Sequence, residues 1–171
     1  MINFNDEEGF INNINTILEQ SYKDLEIVYV DDGSSELNGE FIKDILNRYE
    51  NVKFISCNET KGSAYLRNLA IDSCSGEYII SIDNDIILED DFIEKAVNVL
   101  EQNLDVGIVY PKRLKEEILN FDKKISYPVM FRKTDFIEAG KYNNLLSDNI
   151  EDYDLWTNIL EQGCESFEIQ Q

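Results

Sequence analysis

The amino-acid sequence predicts an α/β fold, a mainly parallel sheet flanked by helices, and three observations carry that prediction. Short apolar runs alternate with helical periodicity from the first residues to about residue 111. Repeated strand–helix–strand order of this kind implies right-handed βαβ units. The run Tyr78-Ile79-Ile80-Ser81-Ile82 is apolar almost throughout, as expected of a strand covered on both faces. Finally, that run and Ile27-Val28-Tyr29-Val30 both stop abruptly in acid, at Asp83-Asn84-Asp85 and at Asp31-Asp32. Ligands of open α/β sheets bind beyond the C-terminal ends of the strands, so these carboxylates are expected to converge on one edge.

Taken in order, Met1 to Phe4 reads as the end of a strand, and Phe10, Ile11, Ile14, Ile17 and Leu18 then fall at helical spacing. The strand Ile27–Val30 follows, closing on Asp31-Asp32-Gly33-Ser34-Ser35. Gly39 to Tyr49 places Phe41, Ile42, Ile45, Leu46 and Tyr49 on one helical face, and Val52 to Ser56 is a third strand. Lys61-Gly62-Ser63 opens a helix that runs to about Cys74, where Ser75-Gly76 stops it before the Tyr78 strand. Phe92 to Gln102 is a helix and Val106 to Tyr110 a strand. Leu114 to Ser126 is charged, mixed in pattern and left unassigned. Tyr127 to Arg132 reads as a strand with Pro128 at its start or on an edge, Thr134 to Ala139 as a short helix before Gly140, and 143–149 as a polar loop. A last helix opens at Glu151 with Leu155, Ile159 and Leu160 inward and ends at Gly163.

Composition narrows the function classes. The 171 residues fit one domain with a substantial core. Against 35 Asp and Glu there are 15 Lys and Arg, a formal charge of −20 that repels nucleic acid and anionic membrane surfaces. Three cysteines, Cys57, Cys74 and Cys164, show no metal-ligand spacing, and no secretory signal or membrane-spanning run is present. The expected setting is cytoplasmic, with attachment at the inner face of the membrane as the other open placement. With no histidine in the chain, any general base is a carboxylate, a Lys, a Tyr or a Cys.

Asp83 and Asp85 stand two apart in an extended segment and so face the same side. Two aligned carboxylates repel unless a cation lies between them, and the simplest candidate is Mg²⁺ or Mn²⁺ holding a phosphate-bearing substrate. Loop acids that merely face solvent or cap the following helix are the competing account. An EF-hand is set aside: counted from Asp83, the required glycine is Leu88.

Four stretches in this order resemble the family 2 glycosyltransferases. They are Val30-Asp31-Asp32-Gly33-Ser34, Gly62-Ser63-Ala64-Tyr65-Leu66-Arg67-Asn68, Gly76-Glu77-Tyr78 through Asp83-Asn84-Asp85, and Glu151-Asp152-Tyr153-Asp154-Leu155-Trp156. The resemblance implies the GT-A fold, a Rossmann-like mainly parallel sheet flanked by helices. It also implies inverting transfer of a sugar from a nucleotide diphosphate donor, a UDP-sugar by the match at Asp32, to a hydroxyl of a carbohydrate or lipid-linked glycan. By the same likeness Asp32, with Asp31 beside it, meets the uracil. Asp83 and Asp85 form the D-x-D motif, the first touching ribose or metal and the second ligating the metal. Arg67 lies near the nucleotide, Asn5, Glu7 and Glu8 form a turn beside it, and Asp152 next to Glu151 is the general base. The plainer alternatives are a turn cap for Asp31 or Asp32, a surface salt bridge for Arg67 and a helix-dipole acid for Asp152.

The likeness implies a single GT-A domain over 1–171, truncated at both ends. Its nucleotide-binding half is about 1–111 and its acceptor-side half about 112–171. Phe4 stands where the family usually has Tyr, and the strand before it is nearly absent. The Gln-x-x-Arg-Trp signature of processive synthases is missing. A bacterial surface-glycan role is expected. The competing classes are a nucleotidyltransferase, whose Gly-rich loop after the first strand is lacking, and a degenerate domain that binds nucleotide or metal without turnover.

Overall fold

The computed structural model describes residues 2–3, 7–83, 86–112, 128–146 and 150–170, with the backbone alone given for residues 2, 3, 7, 8, 12 and 36–38. Strands β1 (Ile2–Asn3), β2 (Ile27–Asp31) and β3 (Val52–Ser56) form a parallel sheet in that spatial order, with Ile2 opposite Val30 and Ile27 opposite Val52. Helices α1 (Glu7–Leu18) and α2 (Glu36–Leu46) connect them. The second sheet has the order β4 (Tyr78–Ser81), β6 (Val129–Arg132), β5 (Val106–Pro111), β7 (Glu165–Ile169). Helix α3 (Ser63–Asp72) leads into β4, α4 (Phe92–Gln102) links β4 to β5, α5 (Lys133–Glu138) follows β6 directly, and α6 (Ile150–Glu161) precedes β7.

The expected parallel order holds for β1 to β3 and, because β4 and β5 are each antiparallel to β6, for the direction of β4 and β5. Strand β6 is the reversed element and makes the second sheet mixed. Two corrections to the sequence reading follow. Strand β7, which the pattern did not reveal, adds parallel to β5, and α5 begins one residue early at Lys133. The 114–126 stretch and most of the 143–149 loop's end lie outside the described residues.

Strand β2 is buried along its whole length, and its side chains alternate between two apolar clusters. Tyr29 packs with Phe10 of α1 and with α4, while Val28 and Val30 pack with Leu66 and Ala70 of α3. Helices therefore cover both faces, which is why the sequence of β2 and β4 shows no polar alternation. A third cluster gathers Phe131, Phe136, Tyr142, Leu155 and Trp156 under α5 and α6. The end of α5 is a Schellman turn: Lys141 N donates to Phe136 O at 3.0 Å and Gly140 N to Ile137 O at 3.2 Å, with Gly140 at φ 91°. That turn swings Tyr142 inward.

Candidate active site

One guanidinium organises the site. Arg67, four residues into α3, is 3% exposed, so the sequence alternative of a surface salt bridge is wrong. Its Nη2 donates to both oxygens of Asp83, just past β4, at 2.7 and 2.9 Å, and its Nη1 donates to Asp152 Oδ2 at the start of α6. Glu151 Oε1 lies 3.8 Å from the same Nη1 and accepts a hydrogen bond from Ser63 Oγ at the head of α3. Thus the predicted residues Arg67, Asp83, Glu151 and Asp152 are brought together, from segments up to 85 residues apart.

Three residues the sequence did not single out complete the cluster. Tyr142 donates its hydroxyl to Asp152 Oδ1 at 3.0 Å and lays its ring 5.6 Å from the Arg67 guanidinium carbon. Asn68 fixes Tyr142 in place through both backbone groups, donating to its carbonyl at 2.9 Å and accepting from its N–H at 3.0 Å. Ser63 is the third. Burial raises the Asp152 carboxyl above the usual aspartate range, with the Arg67 charge pulling the other way. Burial by itself would lower the Arg67 pKa, but Asp152, with Tyr142 and Asp83, outweighs it, so the guanidinium stays charged. Burial, then the Asp152 charge, hold the Tyr142 phenol well above its ordinary value, and it remains a donor.

The end of β2 is a separate cradle. Asp31 is 1% exposed; its Oδ2 accepts from Ser34 N at 3.1 Å and Ser56 Oγ at 3.4 Å, while Oδ1 is buried without a partner among the described residues. Asp32 Oδ1 accepts Lys61 N at 2.8 Å, tying the turn to the loop that enters α3. Gly33 sits at φ 75°, with a hypothetical Cβ 3.2 Å from the Glu59 backbone, so only glycine fits this turn. Asp31 therefore caps the turn, whereas Asp32 ties it to the neighbouring loop, and Asp31 Oδ1 keeps its lone pairs for another donor.

The loop after β4 is held from α1. Buried Asn13 donates Nδ2 to Asp83 O at 3.1 Å and to Ile86 O, and buried Gln20 donates to Glu89 O at 2.6 Å while accepting from Ile93 N at 3.1 Å. Asn5 and Asp85 lie outside the described residues; Glu7 is the first residue of α1, its side chain likewise outside. Among the described residues no cluster of three metal-ligating side chains occurs. Of the predicted D-x-D pair, Asp83 supplies hard, partly exposed carboxylate oxygens of the kind Mg²⁺ and Mn²⁺ take.

The fold that joins the acids at the strand ends to a helix-borne acid through one arginine is the GT-A fold of glycosyltransferases. The model for Glycosyl transferase family 2 matches residues 1–155, and the chain belongs to that family. An uncharacterized glycosyltransferase of Haemophilus influenzae is 34% identical over 86 residues, 50% of this chain and 34% of that protein. The UDP-Gal:alpha-D-GlcNAc-diphosphoundecaprenol beta-1,3-galactosyltransferase of Escherichia coli is 28% identical over 169 residues, covering 85% of this chain and 60% of its own length. Among solved structures, the mannosyltransferase PcManGT of Pyrobaculum calidifontis, in complex with GDP-Man and Mn2+, superposes with a TM-score of 0.83 at 18% identity, over 99% of this chain and 53% of that one. The chain thus spans about a third of the Haemophilus relative. No helix among the described residues is long and apolar enough to cross a membrane.

Proposed function

We propose that the chain transfers a sugar, with inversion, from a UDP-sugar to a hydroxyl of a carbohydrate or lipid-linked glycan in bacterial surface-glycan synthesis. The observation that carries this reading is the Arg67 bridge, which fixes an acid beyond β4 and an acid on α6 against one cation. On this reading residues of about 1–111 hold the donor and those of about 112–171 the acceptor. Asp32 accepts the uracil N–H with Asp31 beside it, Asn5 and Glu7 border the nucleotide, and Asp83 meets the ribose. Arg67 acts by positioning Asp83 and Asp152, and Glu151 borders the acceptor.

Asp152 takes the proton of the attacking hydroxyl, opposite the departing diphosphate. Burial favours this, since it raises the proton affinity of the carboxylate, and Tyr142 and Arg67 hold its two oxygens in a fixed direction. Three carboxylates, Asp83, Glu151 and Asp152, face one guanidinium, a formal excess of 3 − 1 = 2 negative charges that favours a divalent cation nearby. Asp85, with Asp83, would hold Mn²⁺ or Mg²⁺, which when bound supplies Lewis acidity to the leaving phosphate. A cytoplasmic location, where nucleotide sugars are made, completes the proposal.

Calorimetric titration of UDP into the chain with Mn²⁺, then with EDTA, tests the donor site, and transfer assays with UDP-sugars test Asp152. Binding that needs the metal and is lost in Asp85→Ala, with transfer lost but UDP binding kept in Asp152→Asn, is the expected result. UDP binding indifferent to metal and to Asp85→Ala would overturn the metal role. Donor binding without turnover in the parent chain would favour the binding-only alternative.

A further inference from the structure

Asp83 is held at both ends. Its carboxylate takes two bonds from Arg67 Nη2 of α3, while its carbonyl takes one from α1, where Asn13 Nδ2 donates to Asp83 O at 3.1 Å and to Ile86 O. Ile86 N also donates to Asp83 O, at 3.2 Å, so one carboxamide clamps both ends of the segment 83–86. The clamp comes from a residue 70 positions away in the chain.

Asn13 adds little to the stability of the fold. It is fully buried beside Phe10, Ile14 and Ile17, and its Oδ1 has no partner among the described residues. The gain of two hydrogen bonds is set against a buried acceptor left unmatched, and the two sides largely cancel. A leucine would suit the apolar stripe. It could not supply two donors diverging from one nitrogen, which the carbonyls of Asp83 and Ile86 both use. The contribution of the amide is therefore direction.

Two further ties run from the same part of the chain to the same loop. Thr16 Oγ1 accepts from Leu88 N at 3.4 Å, and Gln20 binds Glu89 O at 2.6 Å and Ile93 N at 3.1 Å. These hold residues 88–93, which the proposed chemistry does not use. Of the three side chains, Asn13 is the one bonded to Asp83.

We propose that Asn13 is a positioning residue for Asp83: by fixing the Asp83 carbonyl and the chain at Ile86, it sets the direction in which the carboxylate is presented to Arg67 and to a divalent cation. The cation part rests on the proposed function; the Arg67 part does not. Asn13→Leu, compared with Gln20→Leu, which cuts the far ties of the same loop, tests it through two readouts. One is Mn²⁺ affinity with UDP present, from the electron paramagnetic resonance of free Mn²⁺. The other is nitrogen NMR of the Arg67 guanidinium, whose Nη2 rotates slowly while Asp83 grips it. In Asn13→Leu, Mn²⁺ should bind about ten- to a hundredfold more weakly, as when the partner behind a metal ligand is lost, and Nη2 should rotate freely. Gln20→Leu should speed exchange of the Ile93 amide yet leave both readouts as in the parent. Equal losses in the two variants would make Asn13 a general loop support and overturn the proposal. Unchanged Arg67 signals in Asn13→Leu would overturn it too, as would unchanged Mn²⁺ affinity where the parent binds the ion. Were the parent to bind no Mn²⁺, the metal reading would fall and the Arg67 signals alone would decide the role of Asn13. If Asn13→Leu does not fold, Asn13→Ala takes its place with the same outcomes.

Discussion

Replacing Arg67 by Met removes the only cation in contact with Asp83, Glu151 and Asp152 among the described residues while keeping much of the side-chain volume. Breaking a buried ion pair by deleting one partner costs about 3–5 kcal/mol, because the remaining charge is left uncompensated. For a chain of this size that is a fall of roughly 6–20 °C in Tm. The loss should depend on pH, and its sign can be worked out. Burial places the folded Asp152 pKa above its unfolded value, so the folded state binds the proton more tightly and this group destabilises the fold as pH rises through that window. Arg67 opposes the rise, so its removal lifts the Asp152 pKa further. The deficit of Arg67→Met should therefore be largest at neutral pH and shrink as the pH falls toward the range where Asp152 is protonated. Urea unfolding followed by circular dichroism at pH 7.5 and pH 5 measures both. Adding Asp152→Asn to the variant should recover part of the deficit at neutral pH. A stability loss below about 1 kcal/mol at both pH values would refute the claim that Arg67 offsets buried carboxylate charge in the cluster.

Tyr142→Phe should cost about 1–3 kcal/mol through the unpaired Asp152 oxygen and move the Asp152 titration, read by carbon NMR of its carboxyl, to higher pH; an unmoved titration would show that the phenol does not act on Asp152. Gly107→Val should destabilise by about 1–3 kcal/mol in urea unfolding, since even a Cβ at Gly107 would stand 2.6 Å from Cys164 Cβ and 2.8 Å from Ile159 Cγ2. Asn13→Leu should loosen the loop after β4, seen as faster exchange of the Leu88 and Ile93 amides, because the loop's carbonyls at Asp83 and Ile86 lose their donor.

The parts of the fold that were legible are those where one rule acts alone. Val52–Ser56 and Phe92–Gln102 have the same bounds in the sequence reading and in the structure, one a compact apolar strand and the other a helix with an unbroken apolar stripe. Strand β7 escaped because Glu165-Ser166-Phe167-Glu168-Ile169 buries little more than Ile169, and its only neighbour strand among the described residues is β5. The direction of β6 also escaped, since apolar content says where a strand is buried and not which way it runs. Within the site, the acids were found by their place at strand ends and by motif, but their supports were not. Asn13 occupies the inner face of α1 with Phe10, Ile14 and Ile17, at i, i+3 and i+4 spacings, and Gln20 follows two residues past the helix end. A polar residue in an apolar stripe was the available signal. Tyr142 had no such signal, because only the left-handed turn at Gly140 and Lys141 brings it to Asp152.

The placement of Arg67 also bears on how the proposed chemistry would be timed. A free carboxylate in water is too weak a base to take a proton from a sugar hydroxyl, and burial strengthens Asp152 by raising its proton affinity. The guanidinium moderates that rise, while the Tyr142 donor fixes the carboxylate's orientation. Because the same guanidinium grips Asp83 through one nitrogen and Asp152 through the other, the two acids cannot drift apart independently. Rate enhancement in a single displacement depends on holding nucleophile, base and leaving group in line, and shifts of about 1 Å are costly. The strongest contribution of Arg67 is thus the separation it imposes between two carboxylates, a role that lysine, with one point of charge, would fill poorly.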